Sequence, residues 1–550
     1  MQQRKVTFDT HKVLNQPPPL EKYNAYRSDA ILQHYIKTFG GEWGEERLEA
    51  YGQLVGYELQ EAGFDANAYK PEFHSHDRFG HRVDFIKYHP AYHRLMAAAI
   101  DAGHHNLPWV VLKTGAHVVR AGIEYLHTQA DPGSGCPLTM TFSSILTIRH
   151  QPDIAQAWIP KITAALYDPR NLPYYEKQGL TNGMAMTEKQ GGSDVRANTT
   201  RASPIDAPGP GESYELVGHK WFCSAPMSDA FLTLANTDSG LSCFLLPRWR
   251  PDGTKNAIHI QRLKNKMGNV SNASAEIEYG GAFAWMIGEE GRGVRTILEM
   301  VAMTRFDCMV GSSAIMGHAA AQALHHTGAR TAFGRNLQDH PLMQNVLADL
   351  AIEAEASLAI SMRLAHALDK DSDDERLLFR IGTAIGKYWI CKRAAQHTYE
   401  AMESVGGVAV VEDNVLARLY RESPINAIWE GSGNIQCLDV VRALEKNPNT
   451  LDIFLIELEK AKNHLDLYDE ALGEFKQQLL MKSQNEYALR QFVETMALLW
   501  QAATLIQFSD ATIAESFILS RLAHHHSYMY GTLPEHIPFR TIIQRAKPKI

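Results

Sequence analysis

The chain has 550 residues, enough for several domains' worth of core, and its 45% hydrophobic and 21% charged content is that of an ordinary globular protein. A formal net charge of -8 argues against a polyanion binder as a whole, and no run of about 18 apolar residues predicts a membrane span. Six cysteines without a C-x-x-C pair argue against a disulfide scaffold or structural zinc site and fit a reducing cytoplasm.

The start, "MQQRKVTFDTHKVL", is basic but lacks the apolar stretch of a secretory signal. "NQPPPLEKYNAY" reads as a Pro-rich arm lying extended over a neighbouring surface. Residues 1–182 are otherwise expected to be helical, because segments such as "YHRLMAAAIDAG" and "VVRAGIEYLHTQA" carry apolar residues at helical spacing. Character changes near residue 183, where "SYELVGHKWFCSA", "AFLTLANTDSGLSCFLLP", "AIHIQRL" and "SAEIEYGGAFAW" read as strands separated by turns. Residues 183–290 are therefore predicted to form a small antiparallel β domain, with Thr237–Gly240 as one hairpin loop. The helical period returns after "GEEGRGV", and 294–330, free of proline, predicts one helix of roughly 55 Å at 1.5 Å per residue. Residues 291–446 suggest an antiparallel four-helix bundle. Asn447-Pro448-Asn449 breaks the pattern, and 447–550 form an additional helical domain. The expected class is thus α+β: helical, then antiparallel β, then helical bundle with an extension.

Several short segments offer chemistry, each beside a plainer reading. In "MAMTEKQGGSDV", Thr187 and Ser193 supply hydroxyls, and Gly191-Gly192 lets a backbone approach a phosphate or planar ring; the same residues also make an ordinary surface turn. In "GHKWFCSA", strand alternation puts Trp221 and Cys223 on one face and Phe222 and Ser224 on the other, a wall for a planar ring or a piece of core. Arg330, just before "TAFG", suits a phosphate or the negative end of a helix. Gly406-Gly407 contains one expected C-cap and a second glycine that permits close approach. In "IWEGSGNIQ", Ser432 or Asn434 can cap a helix while Glu430 is a spectator acid or an active carboxylate. The pairs His104-His105 and His325-His326 and the triplet His524-His525-His526 do not share helical faces, and no metal site is predicted.

Taken together and in order, M-T-E-x-x-x-G-S-D, G-x-K-aromatic, R-x-x-F-G, Gly-Gly and aromatic-Glu-Gly-Ser resemble the acyl-CoA dehydrogenase flavoprotein family over roughly 130–446. "VLNQPPPL", "CPLTMTFS", "MTRFDC", "IWEGSGNIQCLDV" and the extra C-terminal helical segment resemble its adaptive-response, AidB-like branch. The resemblance implies FAD and a homotetramer. It places Met184, Met186, Thr187, Gly192, Ser193, Phe222, Cys223, Ser224 and Trp429 around the flavin. Arg330 and Phe333 would reach the FAD of a neighbouring subunit, and Gly406, Gly407, Gly431, Ser432 and Asn434 its pyrophosphate and adenosine half. It makes Glu430 the catalytic base for α,β-dehydrogenation of an acyl-CoA. Lys189, Phe222 and Glu403 depart from the common family pattern, and Arg442 is a candidate for narrowing the acyl pocket. The alternative that the AidB-like branch implies is a protective flavoprotein binding double-stranded DNA. Residues 451–550 carry 10 Lys+Arg against 12 Asp+Glu, so only the tail "RTIIQRAKPKI" offers a basic patch.

Overall fold

The computed structural model describes residues 10–483, 485–523 and 527–550 of the chain, with no account of side chains 480–483. The His524–His526 triplet and the first nine residues lie outside the described residues.

Short helices from Ala25 onward lead to a hairpin, β1 (Glu72–His76) and β2 (Arg82–Lys87), absent from the sequence expectation. β1 is largely polar, and β2 sets Phe85 directly beside the buried Ile86, so no clean apolar alternation marks the pair. Two buried helices follow, α1 (Ala116–Ala130) and α2 (Pro132–Ile148). Asp131 starts α2, its carboxylate accepting from the Ser134 amide. The Pro-rich arm lies against its own chain: Pro18 and Asn15 bond to His325, Arg330 and Thr331.

The β domain comprises β3 (Asn182–Ala185), β4 (Arg201–Pro204), β5 (Ser213–Ser224), β6 (Ala230–Thr237), β7 (Gly240–Pro247), β8 (Ile258–Leu263) and β9 (Ser274–Ile287). The order is β3-β6-β4-β5-β9-β7, with β8 on β9, and β6–β7 pairing folds the sheet back on itself. The sheet is mixed rather than wholly antiparallel, because β6 pairs in parallel with both β3 and β4. Thr237 pairs with Gly240 across the expected hairpin loop.

Helix α3 (Gly293–Ala329) is the predicted long helix. With α4 (Pro341–Leu368), α5 (Asp373–Val405) and α6 (Gly433–Lys446) it forms the bundle. The extension adds α7 (Asn449–Glu459), α8 (Asp466–Ser483), α9 (Leu489–Phe508), α10 (Ala511–Arg521) and α11 (Phe539–Ala546). Helix α9 docks on α4 and α5 through Trp500, fully buried, and Arg545 of α11 is bound by both oxygens of Glu355 on α4. The six cysteines are all buried and unbonded. No described helix is long and apolar enough to cross a membrane.

Candidate active site

Glu430 lies in the short connection between Ile425–Ile428 and α6, and its backbone is in the left-handed region at φ 57°, followed by Gly431 at φ 98°. That conformation costs a non-glycine residue about 1–3 kcal/mol and persists only where neighbours impose it. Three side chains do so. Lys387 of α5, 1% exposed, donates its Nζ to the carbonyls of Asn426 (3.0 Å), Trp429 (2.8 Å) and Gly431 (2.8 Å). Arg305 of α3 donates Nε to the Glu430 carbonyl at 2.8 Å, and its Nη1 is tied to Asp439 at 2.9 Å. Gln436 donates to the carbonyls of both Glu430 and Gly431.

The Glu430 carboxyl is held from one side only. Thr304 donates its hydroxyl to Oε2 at 3.0 Å, and among the described residues no protein donor reaches Oε1. Burial raises its pKa above the ordinary carboxylate range, with Thr304, Arg305 and Lys387 opposing the shift. Trp429 and Met186 each pack against a second apolar cluster that includes Met184, and the Trp429 indole N–H donates to Asn426 at 2.9 Å.

The loop after β3 is shaped for close approach. A Cβ at Gly192 would sit 2.4 Å from the Thr187 hydroxyl, so only glycine fits there. Gly191 has φ 146° and open space where a Cβ would be. Glu188 anchors the loop: buried, it receives Lys220 (2.8 Å) and the hydroxyls of Thr199 and Thr200. Burial works against its charge, but the Lys220 ammonium prevails and holds it low, at about 2. Ser193 is exposed beside it.

On β5, the expected alternation fails at one point. The pairing with β9 shifts register between Lys220 and Cys223, and both Trp221 and Phe222 come under one cation, Lys264 Nζ, at 3.3 and 4.6 Å from their ring centres. Cys223 is fully buried in the core, not at a ligand surface, whereas Phe222 stays 47% exposed. Ser224 shares a 3.1 Å hydrogen bond with Ser274, which in turn receives Lys266 Nζ at 2.8 Å. Burial lowers the Lys266 pKa to about 8.

The remaining predicted residues stand apart within one chain. Arg330 and Phe333 lie 26 or more residues beyond Thr304, roughly 39 Å along α3 at 1.5 Å per residue. Arg330 is engaged by the Asn15 carbonyl, and Phe333 is 96% exposed. Gly406 caps α5 at φ 85°, and neither it nor Gly407 has any atom within 4 Å of a Cβ position. Ser432 occupies the N-cap position of α6 but makes no side-chain cap bond, and Asn434 accepts from Arg490 at 2.8 Å. No cluster among the described residues can hold a metal ion.

Sequence reasoning assigned no role to Lys387, Lys266, Ser274 or Arg120. Thr304, Arg305 and Asp307 lie within "MTRFDC", quoted above, but nothing in that segment marked the partners they find.

Comparison with known proteins matches three family profiles along the chain. These are the adaptive response protein AidB N-terminal domain over 15–169, the acyl-CoA dehydrogenase middle domain over 183–281, and the acyl-CoA dehydrogenase C-terminal domain over 291–445. AidB of Escherichia coli K12 is 43% identical over 514 residues, 93% of this chain and 94% of its own. Acyl-CoA dehydrogenase family member 11 of Caenorhabditis elegans is 29% identical over 539 residues, 92% of this chain and 81% of that protein. The crystal structure of C. elegans ACDH-11 in complex with C11-CoA superposes with TM-score 0.84 at 26% identity, covering 96% of each chain. The apo form of Bd2924 gives 0.81 at 27% identity, covering 90% of this chain and 99% of that one.

Proposed function

Because the chain belongs to the acyl-CoA dehydrogenase family, in its AidB branch, we propose that it is an FAD-dependent oxidoreductase that converts an acyl-CoA to its α,β-unsaturated thioester, with Glu430 as base. The observation that carries this is the carboxylate itself: pinned in a left-handed turn by Lys387, Arg305 and Gln436, raised in basicity by burial, and bonded through Oε2 alone.

The residues present fit FAD. Phe222 is half exposed, the Gly191-Gly192 turn leaves an uncovered cradle beside the Thr187 hydroxyl, and Trp429, Met184 and Met186 share one apolar cluster. Gly431, Ser432 and Asn434 at the start of α6 suit its phosphates. When bound, FAD supplies the acceptor for the hydrogen and electron pair that leave the substrate's β-carbon. Glu430 Oε1 takes the α-proton, and the electron pair of that C–H bond becomes the new Cα–Cβ π bond. Thr304, on Oε2, fixes the carboxyl so that Oε1 faces the substrate. Burial raises the basicity of the Glu430 carboxylate, while Thr304, Arg305 and Lys387 oppose that shift and favour its ionised form. The Glu430 amide, which meets no described protein acceptor, is available to the thioester carbonyl as charge develops there.

An acyl thioester as substrate is supported by the relative's complex with C11-CoA. Assembly as a homotetramer is supported by Phe333 and Leu342, 96% and 85% exposed, which a second copy would cover; Arg330 and Phe333 would then complete a neighbour's FAD site. The buried, unbonded cysteines accord with a reducing cytoplasm. Binding to double-stranded DNA gains no comparable support, since Arg545 of the basic tail is committed to Glu355.

The test is anaerobic titration of the yellow holoenzyme with a panel of acyl-CoAs. Flavin bleaching lost in Glu430→Gln is expected. Absence of bleaching with every thioester, together with salt-sensitive duplex retention lost on deleting 540–550, would favour the DNA-protective role instead.

A further inference from the structure

A substrate with its α-carbon at Glu430 must send the CoA portion, large and charged, toward solvent. Its acyl tail therefore runs inward, and what lies inward is not apolar. Thr304, which holds Glu430, is followed one turn along α3 by Asp307, about 5 Å further at 1.5 Å per residue. Asp307 forms a buried, two-pronged ion pair with Arg120 of α1, one prong at 2.7 Å. Arg120 is in turn fixed by the His104 carbonyl (2.8 Å) and by the Phe142 ring face, 3.9 Å away.

Thr139 of α2 covers this pair, donating its hydroxyl to Asp307 Oδ2. From residue 133 to 148 every residue of α2 is buried except Thr139. Past its first residue, α2 is thus partly exposed only at the residue that contacts Asp307, one turn along α3 from the Thr304 that holds Glu430. Cys136, one turn earlier on α2, is buried and feels the charges of both Glu430 and Glu124.

We propose that Thr139, backed by the Asp307–Arg120 pair, is the floor of the acyl chamber and a specificity determinant: it admits a short acyl chain and prefers one whose far end carries a hydrogen-bond donor. The length limit follows because extending the chain would require displacing a buried ion pair, whose partners lose far more than a methylene gains. The polar preference follows from hydrogen count. Thr139 has one hydroxyl hydrogen and spends it on Asp307, so only its acceptor lone pairs remain for a ligand. The inference rests on the placement of substrate at Glu430 made above.

Binding tests it without turnover. The holoenzyme is titrated calorimetrically with S-(2-oxoalkyl)-CoA ketones, which cannot lose CoA, from propyl to undecyl tails, and with one pair of equal length ending in methyl or hydroxyl. Affinity should rise about fourfold per methylene at first and then stop or fall well before the undecyl tail, once the chain reaches Thr139. The hydroxyl-ended member should bind about tenfold tighter than its methyl-ended partner, and Thr139→Val should erase or invert that order. The paired change Arg120→Met with Asp307→Leu, apolar on both sides, should extend the length limit. A steady gain through undecyl, indifference to the terminal hydroxyl, or no binding at all overturns the proposal. If this profile holds while no thioester bleaches the flavin, the role given to Glu430 fails and the floor stands.

Discussion

Replacing Lys387 with methionine keeps the length of the side chain and removes its charge. Three carbonyls then lose a cationic donor. A buried acceptor left unpaired costs about 1–3 kcal/mol, and part is recovered because no ammonium need be desolvated, so the net loss should be about 2–4 kcal/mol. The catalytic consequence is separate. The turn at Glu430 and Gly431 would keep only Arg305 and Gln436, and a misplacement near 1 Å can cost about 100-fold in rate. Losing the nearby cation also raises the Glu430 pKa further, and since the base must be ionised, the acid limb of the rate profile should move to higher pH. Urea unfolding measures the first effect, and single-turnover flavin reduction across pH measures the other two. Lys387→Arg should keep the limb near its original position. A folded Lys387→Met protein with unchanged rate and unchanged acid limb would refute the positioning role.

Phe222→Ala should leave the apoprotein's stability within about 1 kcal/mol, because the ring is already half exposed, while lowering flavin content on purification; full flavin retention would count against its place at the ring. Arg120→Met alone should destabilise by about 3–5 kcal/mol, since Asp307 is left buried without its partner; denaturant midpoints check this. Glu422, buried and receiving the Asn269 amide on both oxygens, has its pKa raised by burial and by Asp131 from 4.5 to about 7. A carboxyl raised in the folded state adds stability that is full below 4.5 and lost as pH climbs through about 7, worth about 3 kcal/mol in all. Glu422→Gln should therefore flatten thermal stability between those pH values; an unaltered slope would contradict the assignment.

Much of this was legible along the chain because the signals are local. The long proline-free helix, the hairpin at Thr237–Gly240 and the small-residue run after Glu430 each declare themselves within a few residues. The parallel pairing of β3 with β6 was not legible, since it joins segments 48 residues apart and leaves no mark in either. Nor was the bulge on β5, which brings Trp221 and Phe222 under one lysine against simple alternation. The residues that hold Glu430 escaped for the same reason. Lys387 is one of two lysines in a helix that also carries several arginines, and Arg120 meets Asp307 across 187 positions. Such partnerships exist only after helices from three regions have packed.

The central claim is that Glu430 removes the α-proton. The most direct measurement is deuterium incorporation at the α-carbon of a 3-thia-acyl-CoA, an analogue without an oxidisable β-carbon, incubated with holoenzyme in D2O. Wild type should exchange the α-hydrogen and Glu430→Gln should not. Exchange at an equal rate in the variant, or none in the wild type, would contradict the assignment of Glu430 as the base.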